Sequence, residues 1–336
     1  VNGTRLRRFA RQYPFLLALA LLIIGLIINR IVQDNLFEPR VINRNFQAFV
    51  PLILLAVGQT IVVIGGGIDL SVGAIVSMAL AIMVTQGAPD GGAGSFAWAA
   101  SLGLLAGLAA GVLNGFAVAI LRLQPIVTTY ASSFIFGGIA LWMLPRPGGS
   151  VPEDLVRLYR RSTPLGLPIG IYVAVILVLV WVGVRKTRYG RYLFAVGGQA
   201  ESAYATGVPV NWVKFSTYLV SGFMAALTAV AIALTTGAGD PRSGDMMTLD
   251  SVVAVVLGGT RLSGGQGGIA GTIMGVIVLG LIRNIISFAN VPTWWQTLVD
   301  ALIIVTALAT PGIIRFFRRR RPAASSSSST EATKPV

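Results

Sequence analysis

Apolar runs of 18 residues or more recur along almost the whole chain. Each is long enough to cross a hydrocarbon core of about 30 Å as a helix. A chain made of such runs must fold around the bilayer, because backbone polar groups in lipid are satisfied only within helices or closed barrels. Composition agrees: 54% of residues are hydrophobic and 11% charged, where a soluble domain carries about 25% charged residues. The predicted spans are 14–33, 45–64, 68–86, 96–121, 125–144, 168–184, 213–235, 246–260, 268–288 and 294–314. The expected fold is therefore an all-α membrane protein of about ten transmembrane helices, some short or broken. A single transmembrane domain, 1–322, is followed by a Ser-rich segment, 323–336, that holds nothing to bury and reads as a disordered tail.

The net charge of +14 is placed unevenly. Arg5, Arg7, Arg8 and Arg11 precede the first span, five basic residues lie between Arg185 and Lys214, and Arg318 to Arg321 follow the last span. By the positive-inside rule this puts both termini in the cytoplasm. Nucleic acid is not expected as a partner, since the basic residues sit at the chain ends and in loops and form no stripe with interleaved aromatics. One outer loop, with Arg146, Arg157, Arg160 and Arg161, runs against the bias. The first span lacks a small-residue cleavage site and reads as uncleaved. Segment 246–260 is short for a crossing, yet Arg318 to Arg321 stay inside only if it crosses.

The sequence has no cysteine and no histidine. That removes disulfides, thiolate chemistry, imidazole metal sites and every His-dependent triad. No enzymatic activity, cofactor or metal is expected.

Chemistry in such a chain concentrates where polar groups interrupt the spans. In Gly65-Gly66-Gly67-Ile68-Asp69-Leu70-Ser71 the glycines let the backbone leave helical geometry, and Asp69 is placed to accept backbone N–H groups at the start of span 3. A similar break, Gly237-Ala238-Gly239-Asp240, ends span 7. The two fall at opposite faces, as an inverted repeat of spans 2–5 and 7–10 would produce, although 40 glycines make coincidence a rival reading. The polar candidates for a translocation pathway are Asp69, Ser71, Gln59, Asn114, Thr128 and Asn284. Between Arg185 and Lys214 a short helix over 199–206 is expected, entered through Gly197-Gly198 and ended by Gly207. Its small residues, Ala203 among them, permit close approach of a partner. Leu262-Ser263-Gly264-Gly265-Gln266 spells the signature of cassette ATPases, but no phosphate-cradling GxxxxGK[ST] loop accompanies it, so it reads as a turn.

Three stretches, Gly66 to Gly73, Thr187 to Gly198 and Leu249 to Gly267, resemble in order the motifs of permease subunits of ribose-type monosaccharide importers of the ATP-binding-cassette superfamily. The resemblance implies import of a small polar solute, with a monosaccharide favoured. It also implies separate ATPase subunits, a second permease, identical or homologous, and an extracytoplasmic solute-binding protein. Glu201 to Gly207 resembles the loop through which such permeases engage their ATPase. Arg188, Gly190, Arg191, Gly197, Gly198, Glu201, Ala203 and Gly207 are the coupling residues so implied. Gln124 to Tyr130 and Asp300 depart from the family pattern. Permeases for nucleosides or branched-chain amino acids share the architecture, and an ion-coupled secondary transporter is the rival class.

Overall fold

The computed structural model describes residues 15–88 and 90–288, together with Pro292, Trp295, Leu298, Leu302 and Val305. The N-terminal arginines, the body of the predicted span 294–314 with Asp300, and the tail 323–336 lie outside the described residues. The chain runs α1 (Phe15–Val32), α2 (Pro39–Ile64), α3 (Val72–Gln86), α4 (Gly92–Gly115, continued by a π-helical turn Phe116–Ile120) and α5 (Pro125–Met143). It continues α6 (Glu153–Arg161), α7 (Ile169–Lys186), α8 (Arg188–Gly198), α9 (Ala200–Ala205), α10 (Val210–Thr236), α11 (Met247–Leu257) and α12 (Ile269–Phe288). Six of these, α2, α4 with its π-helical turn, α5, α7, α10 and α12, are long and apolar enough to cross a membrane, whereas α1, α3 and α11 are apolar but shorter. No strand occurs among the described residues.

Local sequence explains the boundaries. Prolines open α2 and α5 at their first helical positions, where the missing N–H costs nothing. Gly237, at φ +80°, closes α10 by donating its N–H to the Ala233 carbonyl. α8 has no counterpart among the expected helices: Thr187 caps it, its hydroxyl accepting the Gly190 N–H at 3.2 Å.

α2 and α10 form the centre, and α5 and α7 the periphery. Helices approach closely where they carry glycine: a side chain at Gly107 or Gly111 of α4 would strike the backbone of α10, and one at Gly275 of α12 the backbone of α11. Such contacts supply dispersion, which drives helix association in lipid.

The two ends of the bundle are distinguished by α6 and by α9. At the α6 end, Arg160 donates to the Thr235 carbonyl from Nε at 2.8 Å and Nη2 at 2.6 Å, meeting orphan acceptors at the negative end of α10. Asn43 and Gln47 of α2 donate to the Arg160 carbonyl at 3.0 and 2.8 Å. Arg160, one of the arginines that runs against the charge bias, is therefore a clasp joining α2, α6 and α10.

Candidate translocation site at two crossed helix breaks

α2 ends at the α9 end of the bundle, and residues 65–71 then turn back inward. Ser221, which meets this segment, sits about three turns into α10 from Val210. From there α3 runs to the α6 end, where the Val84 carbonyl accepts the Ser150 N–H. The second break mirrors this path from the other end. Residues 237–246 dip inward until Gly244 meets Ser77, about two turns below Val84. α11 then descends to the α9 end. Its 11 residues span about 16 Å, roughly half a hydrocarbon core. The short segment predicted at 246–260 is thus a half-length helix that begins inside the bundle.

The two short helices cross at their N-terminal ends. The Gly73 N–H donates to Thr248 Oγ1 and the Gly244 N–H donates to Ser77 Oγ, both at 3.0 Å. Each acceptor lies four residues after the opposite glycine. Neither glycine tolerates a Cβ, since one built at Gly73 would overlap the Gly244 carbonyl and the converse. Irregular backbone at this depth is tolerable because it is packed against protein.

Asp69 organises the first break. It is 1% exposed, and its Oδ1 accepts the Ser71 N–H at 2.9 Å and the Ser71 hydroxyl at 2.6 Å. Its Oδ2 accepts the Ser221 hydroxyl at 2.9 Å. Asn114 of α4 donates to Ser71 Oγ at 2.7 Å, and Ser132 of α5 donates to Asn114 Oδ1 at 2.7 Å. Thr129 Oγ1 accepts the Leu70 N–H at 3.0 Å. A line of polar contacts therefore runs from α10 through the break to α4 and α5. Asp69 does accept a backbone N–H as expected, but Ser71 occupies the cap position of α3 and makes no side-chain cap bond there.

Of the predicted pathway residues, Asp69, Ser71 and Asn114 are brought together. Thr128 is not: its hydroxyl donates to the Gln124 carbonyl of its own helix, and Thr129, one position on, takes the inward place. Gln59 is buried in α2 with neither amide atom bonded. Asn284 belongs to a second polar group, where Arg283 Nη2 donates to Asp250 Oδ1 at 2.6 Å between α12 and α11. Helical spacing along the sequence offers Asp250 no basic partner, because the two residues are 33 apart.

At the α9 end, α8 and α9 form the predicted loop. Gly207 has φ +82°, as a glycine terminator requires. Glu201, Ser202, Tyr204 and Ala205 face outward, and so do Arg188, Arg191 and Gly198. Ala203 does not. It is 5% exposed and packs with Leu193, Val208 and Val213, so the small side chain expected to admit a partner instead fits the helix onto its own chain. Gly190 and Gly197 are also buried. Gly197 lies against the Ile64 carbonyl, and Gly265 donates its N–H to that same carbonyl at 2.9 Å. The signature-like string 262–266 is accordingly a glycine turn tucked beneath α2 and α8.

A polytopic helical bundle with two helices shorter than a full span meeting inside it defines a membrane transport protein of the broken-helix type. The chain belongs to the family described as branched-chain amino acid transport system / permease component, whose model matches residues 41–308. It is 31% identical over 260 residues to the ribose import permease protein RbsC of Escherichia coli K12, covering 76% of this chain and 80% of that one. It is 32% identical over 294 residues to the protein of the same name from Bacillus subtilis 168, covering 85% and 89%. Identity to the autoinducer 2 import system permease protein LsrC of Yersinia pestis (strain Pestoides F) is 32% over 294 residues, covering 85% and 81%. No solved structure matches. The chain is a multi-pass membrane permease.

Proposed function

We propose that this permease is the transmembrane subunit of an ATP-driven importer for a monosaccharide or a similar neutral, hydroxylated solute. The observation that carries the reading is the similarity to ribose import permeases over most of both chains. The site is compatible with it: both oxygens of the only acid of the first break, Asp69, accept from hydroxyl or backbone amide donors, and no metal-binding cluster of acids occurs among the described residues. Uptake into vesicles holding the chain with its co-purified partners, tested with pentoses, hexoses, nucleosides and amino acids, checks the solute. Transport confined to a charged amino acid would overturn it, and uptake by the chain alone on an ion gradient would favour a secondary transporter.

The architecture extends the proposal. Ten spans fit, with 294–314 as the last and both termini cytoplasmic. The reciprocal Gly73 and Gly244 contacts support an inverted repeat, and α2 and α10 begin at the same interval, Pro39 to Val210, as separates the two glycines. On this reading the α9 end is cytoplasmic, and the outward residues Glu201 and Tyr204 form the contact with a separate ATPase subunit. The exposed face of α5 takes a second permease, and the α6 end takes an extracytoplasmic binding protein. An ATPase of soluble composition recovered with the chain in mild detergent is the expected result. Its absence from an active preparation would count against the assignment.

A further inference from the structure

The wall between α2, α11 and α12 holds a cavity of about 220 Å³ that the Asp69 network does not touch. Three helices line it by the same device, residues three apart on one helical face: Phe49 and Leu52 on α2, Met247 and Asp250 on α11, Gly280 and Arg283 on α12. Asn284 completes the last face. A Cβ at Gly280 would collide with the Phe49 ring, so glycine there lets the ring lie against α12 beside the polar residues. The lining is divided by chemistry, apolar from Phe49, Leu52 and Met247, and polar from Asp250, Arg283 and Asn284.

Two observations mark the polar side as more than helix glue. Asp250 and Arg283 form an ion pair inside the apolar part of the chain, where ionisable residues are costly and mark pathways. Next to it, Asn284 Nδ2 is shielded from solvent and has no hydrogen-bond partner, an arrangement that folded chains avoid unless another molecule supplies the acceptor. The cavity is small against sites for drug-sized ligands, about 300–1,000 Å³. It suits a compact solute carrying both donors and acceptors. A carboxylate accepts from hydroxyls, a guanidinium and an amide donate to them, and an aromatic ring covers a C–H face. The pair is neutral overall, which favours a neutral solute over an anion that would have to compete with Asp250 for Arg283.

We infer that this cavity is a transient subsite for a neutral polyhydroxylated solute within the translocation route, with Asp250, Arg283 and Asn284 as its polar contacts. The inference rests on the importer reading above and adds a location and a recognition chemistry to it.

The chain has no cysteine, so Asn284→Cys gives it a single thiol, whose labelling is read on this subunit within the complete importer reconstituted with its ATPase and binding protein. Expected are reaction of the introduced thiol with a water-soluble methanethiosulfonate reagent and slowing of that reaction at least fivefold by ribose during ATP turnover. The double variant Asp250→Asn with Arg283→Gln keeps a neutral, hydrogen-bonding pair. It should insert normally but lose at least tenfold of maximal ribose uptake at saturating loaded binding protein. Normal uptake by that double variant would mean that the pair only neutralises the buried Asp250, and it would overturn the inference. So would an introduced thiol that is unreactive, or reactive without protection, in an importer that carries ribose. Failure of the unaltered importer to take up any monosaccharide shows before a variant is made; it overturns the importer's solute reading and this subsite with it.

Discussion

α5 and α7 are the two spans least covered by the rest of the chain, yet they differ in what they expose. The outward residues of α7 are aliphatic: Val175, Ile176, Leu179, Val180 and Val182. α5 exposes aliphatic residues as well, Ile126, Val127, Ile135 and Leu141, but adds the aromatic rings of Tyr130, Phe134 and Trp142 beside Gly137 and Gly138, where an added Cβ would meet nothing. Its inner side is bonded into the Asp69 network through Thr129 and Ser132. Aliphatic side chains match lipid tails, whereas glycines let another helix approach closely. On the reading proposed above, equal exposure has two meanings: α7 faces lipid, and α5, bonded to the polar centre through its inner side, faces a second permease.

The difference is broken most completely by Asp69→Leu, which removes the acceptor for three buried donors and should cost about 3 kcal/mol or more. Uptake should be lost and α5 released to limited proteolysis, while α7 stays protected. Asp69→Asn retains an acceptor oxygen for Ser71 and an amide for Ser221, and should keep most uptake. Equal uptake by both variants would remove Asp69 from the functional account. Next in size, Gly138→Leu should weaken association with a second permease at least tenfold, about 1.4 kcal/mol, as read by cross-linking in membranes. Gly183→Leu on α7, where a Cβ also meets nothing, should change nothing. If the two behave alike, α5 is only another lipid-facing span.

A smaller effect sharpens the link between α5 and the break. Ser132→Ala deletes the bond to Asn114 and should lower stability by about 1 kcal/mol, with uptake reduced but not abolished; thermal unfolding in detergent measures it. The smallest stability change, within about 0.5 kcal/mol as for surface positions, is expected for Tyr204→Ala, since Tyr204 is 75% exposed. Pull-down of the ATPase should nevertheless weaken. Ala203→Arg behaves differently because it must overfill the chain's own packing, costing about 1–3 kcal/mol. Loss of ATPase binding in that variant alone would not identify the contact.

The first break is legible in the sequence because three glycines and an aspartate interrupt an apolar run, and the short segment at 246–260 is marked by its length. The partners of Asp69 are hidden. Hydroxyls at membrane depth are common, and Ser132 and Ser221 lie 63 and 152 residues away from Asp69 along the chain, with the latter bonded directly. Nothing in a one-dimensional pattern selects those two from the other serines and threonines. The same holds for Asp250 and Arg283, which meet only because α11 and α12 pack side by side. Ala203 illustrates another limit. In a run of Ala, Ser and Thr no hydrophobic period tells the inward face from the outward one, so the direction of the side chain comes from the fold alone.

The glycine joint at the end of α2 has a mechanical consequence. Gly197, Gly265 and the Ile64 carbonyl touch backbone to backbone, so at this point no rotatable side chain stands between α8 and α2 to absorb a displacement. A side-chain interface can respond to a push by changing rotamers and so take up slack. This joint has no such play, and a shift of α8 must arrive at the head of the 65–71 segment almost undiminished, in the manner of a rigid linkage. Substituting Gly197 would therefore act as a misfitted bearing, displacing the Asp69 segment at rest and spoiling the timing of any stroke that reaches it.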